Sequence, residues 1–289
     1  MGLKESMDMS DGVIFDLKQF AVFDGPGVRQ TVFLKGCPLR CNWCHNPEGL
    51  SAKPQLMVSK ASCINCGRCQ EVCQHKTCIA CGACVPVCPL RLRAVSGERV
   101  SAEELEQRLR KDSAYYAQLG GGVTFSGGEP LMQGDFLLDV LGRIADLHCC
   151  IETSGYAEQE LFQAVVKKLD YVIMDLKLLD PEKHRQYTGV GNEKILRNAA
   201  YLCQTDVPFT IRIPLIPGVN DNDENFRQTA QFLSGAKHLQ QVELLPYHKT
   251  AGAKYAMAGM TYTPKFDINR SVYTSQRIFQ DYQIRSSVL

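Results

Sequence analysis

Residues 31–44, TVFLKGCPLRCNWC, join an apolar run to three closely spaced cysteines. The run TVFLKG (31–36) is typical of a buried strand, and it ends directly at Cys37. Cys41 follows after three residues and Cys44 after two more, spacings at which neighbouring thiolates can turn toward one centre. The stretch therefore predicts a strand whose carboxyl end opens into a metal-binding loop, which we name the Cys37 loop (residues 37–44).

The Cys37 loop supplies three thiolates. A cluster of four irons held there would leave one iron without a protein ligand, and an open coordination position is typical of a metal site that binds substrate. The alternative is a fourth ligand far along the chain, for which Cys149, Cys150 and Cys203 are the candidates. Because apolar residues flank these three cysteines, we expect them to be buried core thiols.

A second group of eight cysteines follows within residues 63–88 and forms two runs with the same spacing. This is the spacing of bacterial ferredoxins, in which the fourth cysteine of each run ligates the other run's [4Fe–4S] cluster. One predicted site consists of Cys63, Cys66, Cys69 and Cys88, and the other of Cys78, Cys81, Cys84 and Cys73. Only four residues connect the two runs, which leaves a single cluster in this segment as the alternative.

Disulfides and structural zinc account poorly for these cysteines. The chain has 289 residues, 45% of them apolar, so it can bury a full core without disulfides, and structural zinc sites pair their CxxC units at longer separations. Its 32 basic and 31 acidic residues give no electrostatic argument for a nucleic-acid or membrane partner. The N-terminus, MGLKESMDMSD, lacks the order of a secretory signal. We therefore expect a cytoplasmic protein.

After the cysteines, strand and helix patterns alternate. Further strands are predicted at 123–127, 149–155, 171–177, 209–218 and 241–248, and helices at 101–119, 132–147, 158–168, 192–204, 223–235 and 269–283. This order indicates an α/β fold with a parallel sheet, either open or closed into part of a barrel. Polar motifs stand at the predicted carboxyl ends of the strands, where such folds place their sites. These are Cys37, SGGEP (126–130), ETSG (152–155), DLK (175–177), Arg212 and PYH (246–248).

The Cys-x3-Cys-x2-Cys spacing, with Trp43 before the last cysteine, resembles the radical S-adenosylmethionine (SAM) superfamily. Residues 24–48, DGPGVRQTVFLKGCPLRCNWCHNPE, are similar to the signature of the enzymes that activate glycyl radical enzymes, and the later motifs follow in that family's order. The resemblance implies a partial (β/α)6 barrel formed by residues 13–59 and 91–289. Residues 60–90 would form a small cysteine-rich, ferredoxin-like insert, as in one subgroup of that family.

The same resemblance implies the chemistry. A [4Fe–4S] cluster on the Cys37 loop would reduce SAM, and the resulting 5′-deoxyadenosyl radical would take a hydrogen atom from a glycine of a partner glycyl radical enzyme. A carrier such as flavodoxin or ferredoxin would supply the electron. We expect Gly127, Gly128, Glu129, Asp175 and Lys177 at the methionyl end of SAM, with Asp175 and Glu152 also able to hold a monovalent cation. Trp43, Arg212 and His248 are expected at the adenosine, His45 as a backbone neighbour of SAM, and Asp24, Gly25 and Gly27 at the partner.

Three other functions remain open on the sequence alone. A pure electron-transfer ferredoxin would explain the second group of cysteines but not SGGEP, DLK or the Cys37 loop. A zinc-binding scaffold would show no redox response. A radical SAM enzyme acting on a small molecule or peptide is the third, and the DGPG motif at residues 24–27 argues against it. For Asp24, Gly25 and Gly27, a plain turn is the alternative to partner contact.

Overall fold

The computed structural model describes residues 11–289 and contains eleven strands. In chain order these are β1 (Asp11–Ala21), β2 (Arg29–Leu34), β3 (Gln55–Val58), β4 (Arg93–Ser96), β5 (Glu98–Ser101), β6 (Val123–Gly127), β7 (Cys149–Thr153), β8 (Tyr171–Asp175), β9 (Phe209–Leu215), β10 (Leu239–Pro246) and β11 (Ser286–Val288). The N-terminal residues on which the absence of a secretory signal was predicted lie almost entirely outside the described part.

Nine of the strands form one mixed sheet in the order β11-β10-β9-β8-β7-β6-β2-β1-β5. From β2 to β11 every neighbouring pair is parallel, whereas β1 runs antiparallel to both β2 and β5. The six predicted parallel strands are confirmed, and the sequence reading missed β11 and the antiparallel edge. The fold is α/β, and its mixed sheet is consistent with a partial barrel.

Ten helices accompany the strands within residues 11–289: α1 (Arg68–Glu71), α2 (Ala102–Arg110), α3 (Ser113–Gln118), α4 (Gly134–Arg143), α5 (Gln159–Val166), α6 (Pro181–Thr188), α7 (Glu193–Leu202), α8 (Asp223–Leu233), α9 (Ala253–Met257) and α10 (Arg277–Asp281). Neighbouring helices pack in sequence, α2 on α4, α4 on α5 and α5 on α7, with one apolar core between helices and sheet. Ser101 caps α2 as predicted, accepting a hydrogen bond from the Glu104 amide at 3.1 Å.

The predicted helices need three corrections. The helix predicted over 101–119 is two helices, α2 and α3, which are separated after Arg110. The sequence reading did not identify α6, which Asp180 caps by accepting from two backbone amides and which Pro181 begins. The final helix was predicted over 269–283, but only Arg277–Asp281 is helical. The preceding segment is held by side chains instead, since the Tyr273 amide and hydroxyl donate to Asp221 and Asp223, each at 2.9 Å.

Segment 60–90 leaves the rest of the chain at a narrow neck formed by β3 and β4. These two strands make a separate antiparallel ribbon in which Val58 pairs with Arg93, and the Ser59 amide donates to the Leu92 carbonyl at 2.9 Å. Within the segment the regular structure is the single turn of α1 and a short 3-10 helix at Lys60–Ser62. Because the β3–β4 ribbon is separate from the large sheet, segment 60–90 can extend from the chain without interrupting that sheet.

Candidate active site

A cavity of about 250 Å³ opens at the carboxyl ends of β2 and β6 to β10. Every strand in this row contributes to its wall, because the carboxyl ends of parallel strands meet at one edge of the sheet. Ten of the predicted site residues line the cavity: Cys37, Cys41, Trp43, Cys44, His45, Gly127, Gly128, Glu152, Asp175 and Lys177. Residues separated by up to 140 positions in the sequence are therefore brought together.

The three thiols of the Cys37 loop share one wall of this cavity. Burial raises the pKa of Cys37 and Cys41 to about 12, and it also raises the pKa of Cys44. Thiols held in this way stay protonated until a cation binds and displaces the protons. Sulfur ligands suit iron–sulfur centres, so the donor set fits a cluster bound by three cysteines.

The backbone around the Cys37 loop is fixed by elements that the sequence reading did not connect with it. The Arg40 amide donates to the Thr188 carbonyl at 2.6 Å and the Asn42 amide to the Tyr187 carbonyl at 3.0 Å, both at the end of α6. Trp43 is buried and packs against Leu178, Ile216 and Val219. The expected role of Trp43 beside adenosine is compatible with this packing, since its side chain also reaches the cavity.

Helix α9 covers the far side of the same loop and was missed by the sequence analysis. The Lys254 ammonium donates to the Glu48 carboxylate at 2.5 Å and to the Asn46 side chain at 3.1 Å. The next residue, Tyr255, is buried, and burial together with the nearby Cys44 and Cys41 raises the pKa of its hydroxyl. Neither residue stands at the end of a strand, which was the signal used to select candidates.

Gly127 and Gly128 allow two backbone segments to meet closely. A Cβ at Gly128 would lie 2.4 Å from the carbonyl oxygens of Gly36 and Gly49, and one at Gly127 would lie 2.3 Å from that of Leu34. The Gly128 amide donates to the Leu34 carbonyl at 2.9 Å. The pair was expected to let the backbone approach SAM. In the structure it packs the end of β6 against the backbone on either side of the Cys37 loop.

Glu129 lies behind the cavity wall and is 1% exposed. Its carboxylate accepts hydrogen bonds from the Thr153 hydroxyl at 2.6 Å, the Ser154 hydroxyl at 2.5 Å and the Ser154 amide at 2.8 Å. Burial raises its pKa, and these hydrogen bonds act in the opposite direction. Thr153 and Ser154 line the cavity, so three of the four hydrogen bonds to the Glu129 carboxylate come from the cavity wall, and the fourth comes from the Leu131 amide at 3.2 Å.

A buried ion-pair network extends from the cavity toward the amino ends of the parallel strands. Arg212 donates from Nη1 to Glu152 at 2.6 Å, from Nε to Glu243 at 2.7 Å and from Nη2 to the Phe23 carbonyl. The other carboxylate oxygen of Glu152 accepts from the Ser126 hydroxyl at 2.7 Å. Although burial alone would raise it, Arg212 and Ser126 hold the pKa of Glu152 below its usual value.

Lys177 and Asp175 form a second ion pair in the cavity wall, with 2.6 Å between Nζ and Oδ2. Burial disfavours the charged amine, but the charge of Asp175 and its hydrogen bond outweigh this effect, so the pKa of Lys177 is raised. The side chain therefore remains a cation inside the cavity. A carboxylate ligand could be bound there by charge and hydrogen bonding together.

Several predicted residues lie outside the cavity. Arg212 is in the middle of β9, not at its carboxyl end as expected, and His248 is exposed beyond β10. Asp24, Gly25 and Gly27 precede β2 and so lie at the amino ends of the strands, opposite the Cys37 loop. Gly25 and Arg212 line a second cavity, of about 200 Å³.

The cysteines of segment 60–90 are partly gathered. A cavity of about 280 Å³ is lined by Cys69, Cys73, Cys78, Cys81 and Cys84, and Arg93 Nη1 lies 3.9 Å from Cys84 Sγ. Cys63, Cys66 and Cys88 are outside its lining. Over residues 11–289, no three His, Cys, Asp or Glu side chains converge in a way that would hold a single metal ion. Cys149, Cys150 and Cys203 are buried, as expected.

Comparison with known proteins shows to which family this chain belongs. Residues 31–233 match the model of the radical SAM superfamily. The chain is 37% identical to the (2S)-3-sulfopropanediol dehydratase activating enzyme of Klebsiella oxytoca, over 94% of this chain and 91% of that protein. It is 38% identical to the choline trimethylamine-lyase activating enzyme of Oleidesulfovibrio alaskensis, over 86% of this chain and 88% of that one. The chain belongs to the radical SAM activating enzymes of glycyl radical enzymes.

Solved structures agree on the fold of this activating enzyme. A radical SAM methyltransferase from Sphaerobacter thermophilus superposes with a TM-score of 0.52 at 15% identity, over 90% of the activating enzyme and 66% of that chain. Streptococcus suis SuiB bound to S-adenosylmethionine superposes with a TM-score of 0.51 at 15% identity, over 88% of the activating enzyme and 48% of that chain.

No helix of residues 11–289 has the length and apolarity that a bilayer crossing requires. Enzymes of this family cleave SAM reductively and abstract a hydrogen atom from a glycine of their partner.

Proposed function

We propose that the cavity beside the Cys37 loop is where this activating enzyme binds and cleaves SAM. The observation that supports this most directly is the shared wall: three thiols, a buried ammonium and two carboxylates face one space of about 250 Å³. In this proposal Cys37, Cys41 and Cys44 hold a [4Fe–4S] cluster. When bound, the cluster supplies one electron, which divides SAM into methionine and the 5′-deoxyadenosyl radical.

The residues of the wall then have separate tasks. Lys177 binds the methionyl carboxylate, since it is a cation in a part of the cavity shielded from water. Glu152 and Asp175 hold the methionyl amino group or a monovalent cation beside it. Trp43 and His45, which line the cavity and pack near Tyr247, contact the adenosine. The chain's own contribution is orientation and exclusion of water, which keeps the radical for its protein substrate.

The partner is a glycyl radical enzyme, and we propose that Asp24, Gly25 and Gly27 contact it. Support comes from the link between this segment and the SAM cavity: the Phe23 carbonyl accepts a hydrogen bond from Arg212, which also binds Glu152 in the cavity wall. The Asp24 carboxylate accepts from the Thr31 hydroxyl at 2.6 Å, which holds this segment in place. The relatives act on proteins as different as a dehydratase and a lyase, so the sequence comparisons leave the partner's own reaction open.

We propose further that segment 60–90 carries two accessory [4Fe–4S] clusters. Its two cysteine runs repeat one backbone conformation: Asn65 and Gly67 have positive φ in the first run, and Ala80 and Gly82 in the second, with φ values of 54° and 79°, and 55° and 79°. A left-handed alanine costs about 1–2 kcal/mol, so the repeat at Ala80 indicates that something at the site demands this turn. The eleven cysteines proposed as cluster ligands must be kept reduced, and a reducing compartment does this, which supports a cytoplasmic location.

Anaerobic reconstitution with iron and sulfide tests this function. Reduced with dithionite and mixed with SAM, the enzyme should release 5′-deoxyadenosine, and about 12 iron atoms per chain are expected for three clusters but about 4 for one. Cys41→Ala should abolish the release, whereas Cys203→Ala, which removes the same sulfur from the core, should retain it. Release by the Cys41 variant, or a colourless zinc-containing wild type, would contradict the proposal.

A further inference from the structure

The carboxyl end of α6 holds the Cys37 loop through two backbone contacts. The last carbonyl groups of a helix have no partner within it. Here the Thr188 carbonyl accepts from the Arg40 amide at 2.6 Å, and the Tyr187 carbonyl accepts from the Asn42 amide at 3.0 Å. Arg40 and Asn42 flank Cys41, so the backbone on both sides of this cysteine is bound to one helix end. The position of Cys41 therefore depends on where and how α6 ends.

His184, one turn before the end of α6, fixes that end and is 1% exposed. Its Nδ1 lies 2.8 Å from the Val190 carbonyl oxygen. Because a carbonyl group only accepts and burial lowers the pKa of His184, the neutral ring carries its proton on Nδ1 and donates it there. The Thr188 hydroxyl lies 3.0 Å from the same Nδ1 and donates to the His184 carbonyl at 2.8 Å. These contacts tie the chain back across Gly189, whose φ of 81° ends the helix.

The segment around α6 also reaches the part of the cavity wall that carries Lys177. The Asn192 side chain is 1% exposed and donates to the carbonyls of Leu178 and Leu179 at 3.1 and 2.9 Å. These two leucines directly follow Lys177, and α6 begins two residues after the second. The α6 clamp, as we name residues 178–192, therefore connects Lys177 with the backbone around Cys41.

We propose that His184 is a positioning residue for SAM, because through the α6 clamp it fixes Cys41 relative to Lys177. The inference rests on the proposed function, which places the cluster at Cys41 and the methionyl carboxylate at Lys177. A ligand that spans two points binds well only when both are held at the separation it requires. Within residues 11–289, Nε2 of His184 is buried without a hydrogen-bond partner. The contact of Nδ1 with Val190 is therefore what this side chain contributes beyond an apolar one.

Two amide substitutions distinguish the ring nitrogens of His184. Asn places an N–H group near the position of Nδ1, whereas Gln places it near that of Nε2 and leaves the Val190 carbonyl without its donor. With enzyme reconstituted anaerobically, the Kd of SAM in equilibrium dialysis should rise about tenfold for His184→Gln and about twofold for His184→Asn. The EPR spectrum of the dithionite-reduced cluster should change in His184→Gln, because the Cys41 ligand moves, and should stay closer to that of the wild type in His184→Asn.

Thr188→Val and Thr229→Val provide a matched pair. Both threonines are 0% exposed, and each donates to the carbonyl four residues earlier at 2.8 Å, Thr188 in α6 and Thr229 in α8. Loss of the hydroxyl should lower the free energy of unfolding similarly in both variants, which urea unfolding measures. The Kd of SAM and the EPR spectrum should change in Thr188→Val only, because Thr188 alone belongs to the α6 clamp.

Two results would overturn the positioning role. One is a His184→Gln variant with the SAM affinity and the EPR spectrum of the wild type. The other is an equal effect of Thr188→Val and Thr229→Val on both measurements, which would show a general loss of stability. Should His184→Gln not fold, the threonine pair decides. A wild type that holds no cluster, or whose EPR spectrum does not respond to SAM, would contradict the proposed function instead, before any variant is compared.

Discussion

Gly128, directly after β6, lies where the chain crosses the backbone on either side of the Cys37 loop. Its neighbours there are the carbonyl oxygens of Gly36 and Gly49, which cannot turn aside as a flexible side chain would. The Glu129 amide donates to the Gly36 carbonyl at 2.8 Å, so the crossing also aligns the peptide groups on either side. The absence of a side chain at Gly128 is therefore a requirement of the protein structure, before any ligand is considered.

Gly128→Ala should disturb the Cys37 loop. We expect the free energy of unfolding to fall by about 1–3 kcal/mol, as for other overpacked sites, together with loss of iron from the cluster of this loop. The matched control is Gly142→Ala in α4, where a Cβ meets no atom within 4 Å and should stabilise the helix by about 0.5–1 kcal/mol. Urea unfolding and iron analysis measure both effects. Equal stability changes for the two variants would show that the crossing tolerates a side chain.

The sequence alone identified those site residues that are polar, glycine or cysteine and directly follow an apolar strand. Cysteines, glycine pairs and the Asp175–Lys177 pair stand out from apolar strands, so the cavity wall could largely be anticipated. Glu129 was expected beside SAM, and its hydrogen bonds to Thr153 and Ser154 could not be foreseen, because they join β6 and β7 across 24 and 25 residues. Tyr255 and Lys254 were missed for the same reason: only tertiary contacts bring α9 to the loop.

Strands that are continuous apolar runs were predicted from the sequence. Strands and helix ends that depend on tertiary contacts were not. The parallel strands from β6 to β10 are apolar runs, and all were predicted. In contrast, β1 mixes exposed and buried positions along an antiparallel edge, and β11 has only three residues. The expected helix at 269–283 is shortened because Asp221 binds the backbone of its first half, a contact that no local pattern encodes.

The β3–β4 ribbon predicts that segment 60–91 can be removed as a unit. Joining Ser59 to Leu92 through an Asn-Gly turn should preserve the ribbon, because these two residues are already hydrogen-bonded at 2.9 Å and Asn-Gly suits a tight hairpin. The shortened enzyme should stay folded and release 5′-deoxyadenosine with dithionite, while its iron falls from about 12 to about 4 per chain. Circular dichroism and iron analysis measure the outcome. Unfolding of the shortened chain would show that the main apolar core depends on segment 60–91 for its stability.

At the scale of the whole molecule, a polar layer separates the two cavities along the large sheet. Alternate residues of a strand face the same side, so β8 directs Tyr171 and Ile173 to the second cavity and Asp175 to the first. Arg212 lies at the boundary, with Glu152 on the first cavity and the Phe23 carbonyl on the segment that leads to Asp24. The site proposed for SAM and the segment proposed for the partner are thus linked through one guanidinium group.

Arg212→Lys tests this link, because one ammonium cannot make the three directed contacts of the guanidinium. Breaking buried pairs of this kind costs about 3 kcal/mol, so the free energy of unfolding should fall by that order. Amide hydrogen exchange should quicken in residues 22–28, which lose the contact at the Phe23 carbonyl, and change less in α10, which lies apart from the network. Arg110→Lys, at an exposed ion pair with Asp146, is the control and should leave exchange in residues 22–28 unchanged. The hydroxyls of Thr31 and Thr124 also donate to Asp24, each at 2.6 Å. If Arg212→Lys left hydrogen exchange in residues 22–28 unchanged, these two hydrogen bonds would suffice to hold the segment. The segment and the SAM cavity would then be independent.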